Sequence, residues 1–180
     1  MKTVKRIGQL ALARFSNPSE LKELGAKFQR LDSKELLEKV VEALVDEKAV
    51  GWMQGRMEFG PRALGSRSIL ADPRSTTMQK QLNLKVKYRE SFRPFAPSIL
   101  SEKVSEWFSF DTHSPYMLLV SKLKEEKRLE MNEQEEKLFG IEKLNIPRSS
   151  VPAITHVDYS ARLQTVPVSY THLRAHETGY

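Results

Sequence analysis

The sequence predicts a mixed α/β fold, with α+β as its variant, built as a twisted mixed sheet with flanking helices. Three observations predict it. Short apolar runs of strand length alternate with one strongly amphipathic helical stretch and several shorter ones. The 180 residues are 39% hydrophobic and 29% charged, which suits a chain with a buried core and excludes wholesale disorder. There are no cysteines, which excludes disulfides, thiolate metal sites and a cysteine nucleophile. No apolar run approaches the roughly 18–20 residues a membrane helix needs. The longest apolar run before Arg14, Leu10-Ala11-Leu12-Ala13, is too short for a signal peptide. A cytoplasmic protein without a membrane partner is expected.

The elements follow in order. Asn17-Pro18-Ser19-Glu20 carries a cap, a first-turn proline and a capping-box glutamate, and Gly25 is a natural stop. Asp32 or Ser33 opens the clearest helix, in which Leu36, Val40 and Leu44 repeat every four residues. Ala49 to Met53 reads as a buried strand, and Gln54 to Gly65 as a glycine-punctuated loop. Ser68 to Ala71 is a short strand stopped by Asp72-Pro73, and Ser75 to Leu84 is helical. Phe92 to Leu100 holds two prolines and is extended. Ser101 caps a short helix that buries Val104, Trp107 and Phe108. Tyr116 to Val120 and Val151 to Val157 have strand character. Between them Lys122 to Lys143 is dense in Glu and Lys, and reads as an exposed helix or mobile insertion.

Charge points toward function. The net charge is +6. Between Gln54 and Pro97 stand nine basic and three acidic residues, so this one block holds the whole excess. Such a concentration fits an anionic partner, either nucleic acid or a phosphorylated small molecule.

Three segments could carry chemistry. Gly55 to Ser68 combines four chain-bending residues with Arg56, Arg62 and Arg67. Glycines let a backbone approach a ligand, and guanidinium forks match phosphate oxygens. The spacing is neither a Walker loop nor a dinucleotide fingerprint. A turn-rich connection with solvated arginines explains it equally well. In the second segment, Lys87, Arg89, Ser91 and Arg93 would share one face of an extended chain, with Glu58 and Glu90 as neutralisers. A basic edge strand is the plain alternative. Tyr88, Phe92 and Phe95 interleave with these cations as stacking platforms would, although Phe92 and Phe95 read better as core. The third segment, Pro152 to Thr165, holds His156 and Asp158. With no third ligand the pair reads as a strand end with an internal hydrogen bond, and no metal site is assigned.

Together these segments resemble one family. Val50 to Gly65, Arg67 to Arg74, Lys87 to Ser98, Ser114-Pro115-Tyr116-Met117 and Pro152 to Val166 look like the C-terminal part of O-carbamoyltransferases of the NodU/TobZ type. Lys87-Tyr88-Arg89 is similar to the Lys-x-Arg signature of YrdC-like domains. The resemblance implies a YrdC/Sua-like domain over residues 15–166, after an uncertain lead-in over 1–14 and with the charged insertion near 122–143. It implies that the domain forms carbamoyl adenylate from ATP, bound with magnesium, and carbamoyl phosphate. A separate N-terminal Kae-like domain would hold the family's metal ion and perform the transfer to a hydroxyl acceptor.

By position in the motifs, Arg62, Lys87, Arg93 and Arg162 are expected to converge on the phosphate groups, with Arg67, Ser68 and Arg89 in support. Lys87 and Arg93 are expected nearest the reacting atoms. The family's Ser/Asn motif beyond Val166 has no counterpart here. Residues 167–180 read like a translated sequencing adapter, so the domain is expected to be incomplete and inactive by itself. A basic RNA-binding module is the rival reading, and nucleic acid is disfavoured against small-molecule substrates.

Overall fold

Asp32 shows how locally the chain commits to its elements. In the computed structural model, which describes residues 11–12, 18–23, 25, 27, 29–144 and 146–168, its carboxylate accepts from the N–H groups of Lys34 and Glu35. The Glu35 carboxylate accepts in return from the Asp32 N–H. This capping box satisfies donors that the start of a helix leaves open. The helix that follows, α2, is the expected one. Two compact units meet the chain's description, one ending at Leu70 and the other beginning at Ala71.

The first unit contains β1 (Ala11–Leu12), α1 (Pro18–Glu23), α2 (Ser33–Val45), β2 (Val50–Met53) and β3 (Arg67–Leu70). The order in the sheet is β1-β2-β3, with β1 parallel and β3 antiparallel to β2. Val50 faces Leu70 across the antiparallel pair, and Met53 faces Arg67. Val40, Val50 and Trp52 form the core, and Leu36, Ala43, Leu44 and Leu70 pack against it. The four-residue spacing of Leu36, Val40 and Leu44 thus points one helix face at one sheet face. Gly25, at φ +67, donates its N–H to the Lys22 carbonyl at 2.9 Å just after α1. The expected cap Asn17 lies outside the described residues.

The second unit contains α3 (Met78–Lys85), β4 (Ser98–Leu100), α4 (Val104–Trp107), β5 (Val120–Lys122), α5 (Glu133–Glu136), α6 (Ile141–Leu144), β6 (Ser160–Arg162) and β7 (Gln164–Val166). β4 lies parallel to β7, and β5 antiparallel to β6. Val104, Phe108, Leu123, Val151, Ile154, Ala161 and Leu163 make its core. Ser114 ties the unit together: its N–H donates to Thr165 Oγ1 at 2.7 Å and its hydroxyl to the Leu163 carbonyl at 2.9 Å. Ser98 Oγ donates to Gln164 Oε1 at 2.7 Å beside the β4–β7 pair.

The fold is mixed α/β, as expected, and several element assignments need correction. α3 starts at Met78 rather than Ser75, because the Ser75 hydroxyl accepts the Thr77 and Met78 N–H groups and so sits outside the helix. Tyr116 to Val120 is not a strand along its length. Met117 takes φ +57, and Tyr116, Leu118 and Val120 are exposed, so β5 begins only at Val120. Val151 to Val157 is not a strand either. Pro152 opens a 3-10 turn over Pro152–Ile154, which still buries Ala153 and Ile154. The strands of this motif are β6 and β7 instead. The charged stretch is neither one helix nor wholly an insertion: it holds the short α5 and α6, and Leu123 near its start is 1% exposed in the core. Among the described residues no helix is long and apolar enough to cross a membrane.

Candidate functional site

In the first unit the glycine-rich loop is fastened from inside by Glu58. Its Oε1 accepts from the Leu64 and Ser66 N–H groups, both at 2.7 Å, and its Oε2 from Arg67 Nε at 3.2 Å. Burial pushes the Glu58 carboxyl up, but the backbone N–H groups and the Arg67 charge outweigh it and hold it below its ordinary value. Arg67 Nη2 also donates to the carbonyls of Gly60 and Arg62. Ser68 Oγ accepts from the Gly65 N–H at 3.0 Å. Gly60 sits at φ +149 and Gly65 at φ +121, which a side chain would strain. Arg67 and Ser68 are therefore committed to shaping the loop. The Arg62 guanidinium is half-buried, and among the described residues no acidic side chain pairs with it.

In the second unit Asn83 organises the basic stretch. It is fully buried near the end of α3. Its amide nitrogen donates to the Ser91 carbonyl at 3.1 Å and the Arg93 carbonyl at 2.7 Å, and its Oδ1 accepts from Arg89 Nε at 2.6 Å. The Arg89 guanidinium also lies over the Phe95 ring, 5.1 Å from its centroid. Gln79, one turn earlier, donates from Nε2 to the Phe92 carbonyl at 2.9 Å.

This stretch is a series of turns, not the extended face expected for Lys87, Arg89, Ser91 and Arg93. Tyr88 takes φ +48, and the Arg93 N–H reaches back to the Glu90 carbonyl, so the two-residue alternation breaks. Arg93 pairs with Glu90 at 2.8 Å, both side chains about half exposed. Lys87 is exposed, and among the described residues no carboxylate pairs with it. Phe95 packs against the core as expected, whereas Phe92 is 42% exposed.

Arg162 lies on β6, opposite Val120. His156 and Asp158 lie in a turn just before β6 rather than at a strand's end, and the internal hydrogen bonding expected of them runs through Ser160. Ser160 Oγ donates to Asp158 Oδ1 at 2.6 Å and stands 3.2 Å from His156 Nδ1. Burial lowers the His156 ring below its ordinary value, Asp158 counteracts this, and Arg162 adds to it. No cluster of three or more His, Cys, Asp or Glu side chains among the described residues could hold a metal ion.

The candidate residues thus fall in both units: Arg62, Arg67 and Ser68 in the first, Lys87, Arg89, Arg93 and Arg162 in the second. Asn83, Gln79 and Glu58 do the positioning. Of these, sequence reasoning missed Asn83 and Gln79. The available signal for Asn83 was a lone amide beside Leu82 on the buried side of a short helix.

What the geometry defines is a mixed α/β protein with internally fastened loops, on which, among the described residues, Arg62 and Lys87 are cations that no acidic side chain pairs with. The sequence model of a family described as the carbamoyltransferase C-terminus matches residues 41–176, so the chain belongs to that family. The match runs past Val166 into the stretch read as no family element. The chain is similar to the uncharacterized protein sll1178 of Synechocystis sp., with 62% identity over 141 residues, 78% of this chain and 23% of that protein. It is 45% identical over 131 residues to nodulation protein NolNO of Sinorhizobium fredii, 71% of this chain and 16% of that one. With the 3'-hydroxymethylcephem-O-carbamoyltransferase of Streptomyces clavuligerus it shares 40% identity over 124 residues, 69% of this chain and 19% of the enzyme. The chain spans about a fifth of the length of these curated relatives.

Proposed function

We propose that this chain is the part of an O-carbamoyltransferase that binds ATP and carbamoyl phosphate and forms carbamoyl adenylate. Water first cleaves carbamoyl phosphate to carbamate and inorganic phosphate, which takes up the water proton, and a carbamate oxygen then attacks the α-phosphorus of ATP. The new O–P bond forms as the bond to the β-phosphate oxygen breaks, and pyrophosphate leaves. Carbamate is already anionic, so no general base is required. The step needs positioning and charge neutralisation, and cations held on fastened loops suit both. Lys87 and Arg93 act nearest the reacting phosphates, with Arg162 on the remaining phosphate oxygens. Magnesium enters with ATP and is held largely by substrate oxygens. Transfer to a hydroxyl acceptor belongs to a further, Kae-like domain of the whole enzyme.

The observation that supports this most is Lys87: an exposed side chain that no carboxylate among the described residues pairs with, on a loop that Asn83 pins through two carbonyls. Family membership and a carbamoyltransferase among the relatives agree with it. Calorimetry at physiological salt tests it, with ATP and a short RNA as separate titrants. ATP heat is expected, with an affinity that the Lys87→Ala variant weakens about ten- to a hundredfold. Tight, salt-dependent RNA binding without ATP heat overturns the proposal in favour of a nucleic-acid module.

A further inference from the structure

The proton of one serine fixes the state of one imidazole. Ser160 is 5% exposed, and its hydroxyl has a single hydrogen to give. That hydrogen goes to Asp158 Oδ1 at 2.6 Å. Asp158 has none of its own to offer. The hydrogen bond from the Ser160 hydroxyl, opposed by burial and aided by the Ser160 backbone N–H, holds its carboxyl below the ordinary value and so ionised. Ser160 Oγ therefore meets His156 Nδ1, 3.2 Å away, with a lone pair. Nδ1 must supply the hydrogen of that contact.

The backbone holds the turn as well. The His156 N–H donates to the Ser160 carbonyl at 2.8 Å, the Tyr159 N–H to the His156 carbonyl at 3.1 Å, and the Leu123 N–H to the Tyr159 carbonyl at 2.8 Å. Ser160 opens β6, where Ala161 faces Ser121 and joins the core. Ser160 and Arg162, two residues apart, share the other face of the strand. Lys122 and Val120 stand opposite them on β5. The ring that meets Ser160 Oγ is thereby a neighbour of Arg162. Burial lowers the ring's hold on a second proton, Asp158 works against this and Arg162 with it, so the ring is neutral at neutral pH. The surrounding charges come from Asp158 in the turn itself, Arg162 on β6 and Lys122 on β5. Arg128 lies over the Tyr159 ring, 4.8 Å from its centroid. The Pro152–Ile154 turn before His156 has no charged residue.

We infer that Asp158 and Ser160 lock His156 as the Nδ1–H imidazole, with the lone pair on Nε2, and that this ring sets the charge beside Arg162. At neutral pH the ring adds no charge there. On acidification Nε2 takes a proton from solvent, Nδ1–H stays on Ser160, and a second positive charge appears next to Arg162 without a change of hydrogen bonds. His156 is thus a positioning residue that makes the field at Arg162 depend on pH. Its bearing on the reaction rests on the reading of Arg162 as a phosphate-holding cation, whereas the tautomer does not.

Nitrogen-15 nuclear magnetic resonance of the full 180-residue chain, with no ligand added, tests the inference. Couplings from the carbon-bound ring hydrogens distinguish the nitrogen that holds a hydrogen from the one that does not. His156 is assigned through its backbone amide and confirmed by the loss of its signals in His156→Gln. At neutral pH the Nδ1–H form is expected to dominate by roughly tenfold, the scale of one hydrogen bond. Its titration midpoint should lie below that of an ordinary histidine. The buried Arg162 Nε signal, assigned by its loss in Arg162→Lys, should shift at the same midpoint. An Nε2–H ring, an even mixture of tautomers, or an imidazolium at neutral pH overturns the inference. An Arg162 signal that does not follow the ring overturns the charge-setting role. Ser160→Ala should release the ring into a mixture, and Ser160→Thr, which keeps the hydroxyl, should retain Nδ1–H. A ring unchanged in Ser160→Ala overturns the lock. If these variants lose the fold, the wild-type tautomer and titration decide by themselves. Absence of ATP binding would leave every one of these readings in place, so this inference and the proposed reaction fail separately.

Discussion

Arg89 Nε donates to Asn83 Oδ1 at 2.6 Å, which joins the end of α3 to the loop that follows it. The same amide holds the Ser91 and Arg93 carbonyls from its other side. One buried side chain thereby sets the path of the seven residues from Lys87 to Arg93, which carry three cations. Charge in this block is placed by an uncharged group.

Replacing Asn83 by Ala should therefore loosen the loop as well as the helix end. Two carbonyls and a guanidinium would lose their partner in a buried place. A cost of about 1–3 kcal/mol per group left unsatisfied is the expected scale. Urea unfolding should show a lower midpoint, and limited proteolysis should cut first near residues 87–93.

Lys87 and Arg89 should separate binding from stability. Among the described residues no carboxylate pairs with the Lys87 side chain, so Lys87→Ala should leave the melting temperature unchanged and weaken ATP about ten- to a hundredfold, on the scale of one charge-assisted contact. Arg89→Ala should lower the melting temperature as well, because it gives up both Asn83 and the Phe95 ring. Differential scanning calorimetry beside ATP titration reads both effects. Equal loss of stability in the two variants would contradict the distinction.

The Glu58 carboxyl is held below its ordinary value of 4.5 in the folded chain. A group depressed on folding contributes stability that is fully present above its unfolded value and is lost as pH falls through the folded value. The stability gap between the wild-type chain and Glu58→Gln should thus be widest near neutral pH and close below about pH 4.5. Chemical unfolding at several pH values measures it. A gap that grows on acidification would show that the carboxylate is not what fastens the loop.

Leu163 is 0% exposed at the centre of the second core. Leu163→Ala should cost about 2–5 kcal/mol, since the surrounding side chains close only part of the space. The expected readout is a cooperative denaturant transition shifted to lower concentration. A cost under 1 kcal/mol would mean that β6 and β7 are not integral to this core.

Legibility in the sequence followed the range of the interactions. The α2 helix was readable because its cap, its box and its apolar spacing lie within a dozen residues of one another. The glycine loop was readable as a loop, yet nothing local says that Glu58 ties it to Ser66. Tyr116 to Val120 misled because its apolar run has strand composition, whereas Met117 turns the chain and the strand begins only at Val120. Val151 to Val157 misled because Pro152 fixes a turn that buries its residues without any ladder. β4 and β7 pair across 66 residues, a relation no local pattern encodes. Among the site residues, the cations were visible as charge. The neutral amides that aim them were not, because burial of Asn83 is decided by tertiary packing.

The distribution of indoles has a practical consequence. The chain has two tryptophans. Trp52 sits in the core of the first unit, and Trp107 packs against the core of the second, with Lys127 Nζ 4.8 Å from its ring centroid. Each unit therefore contains its own fluorophore. Trp52 is nearly dry and should emit toward the blue, while Trp107 is wetter and lies beside an ammonium. A Trp52→Phe chain reports melting of the second unit alone, and a Trp107→Phe chain reports the first, without any dye or label.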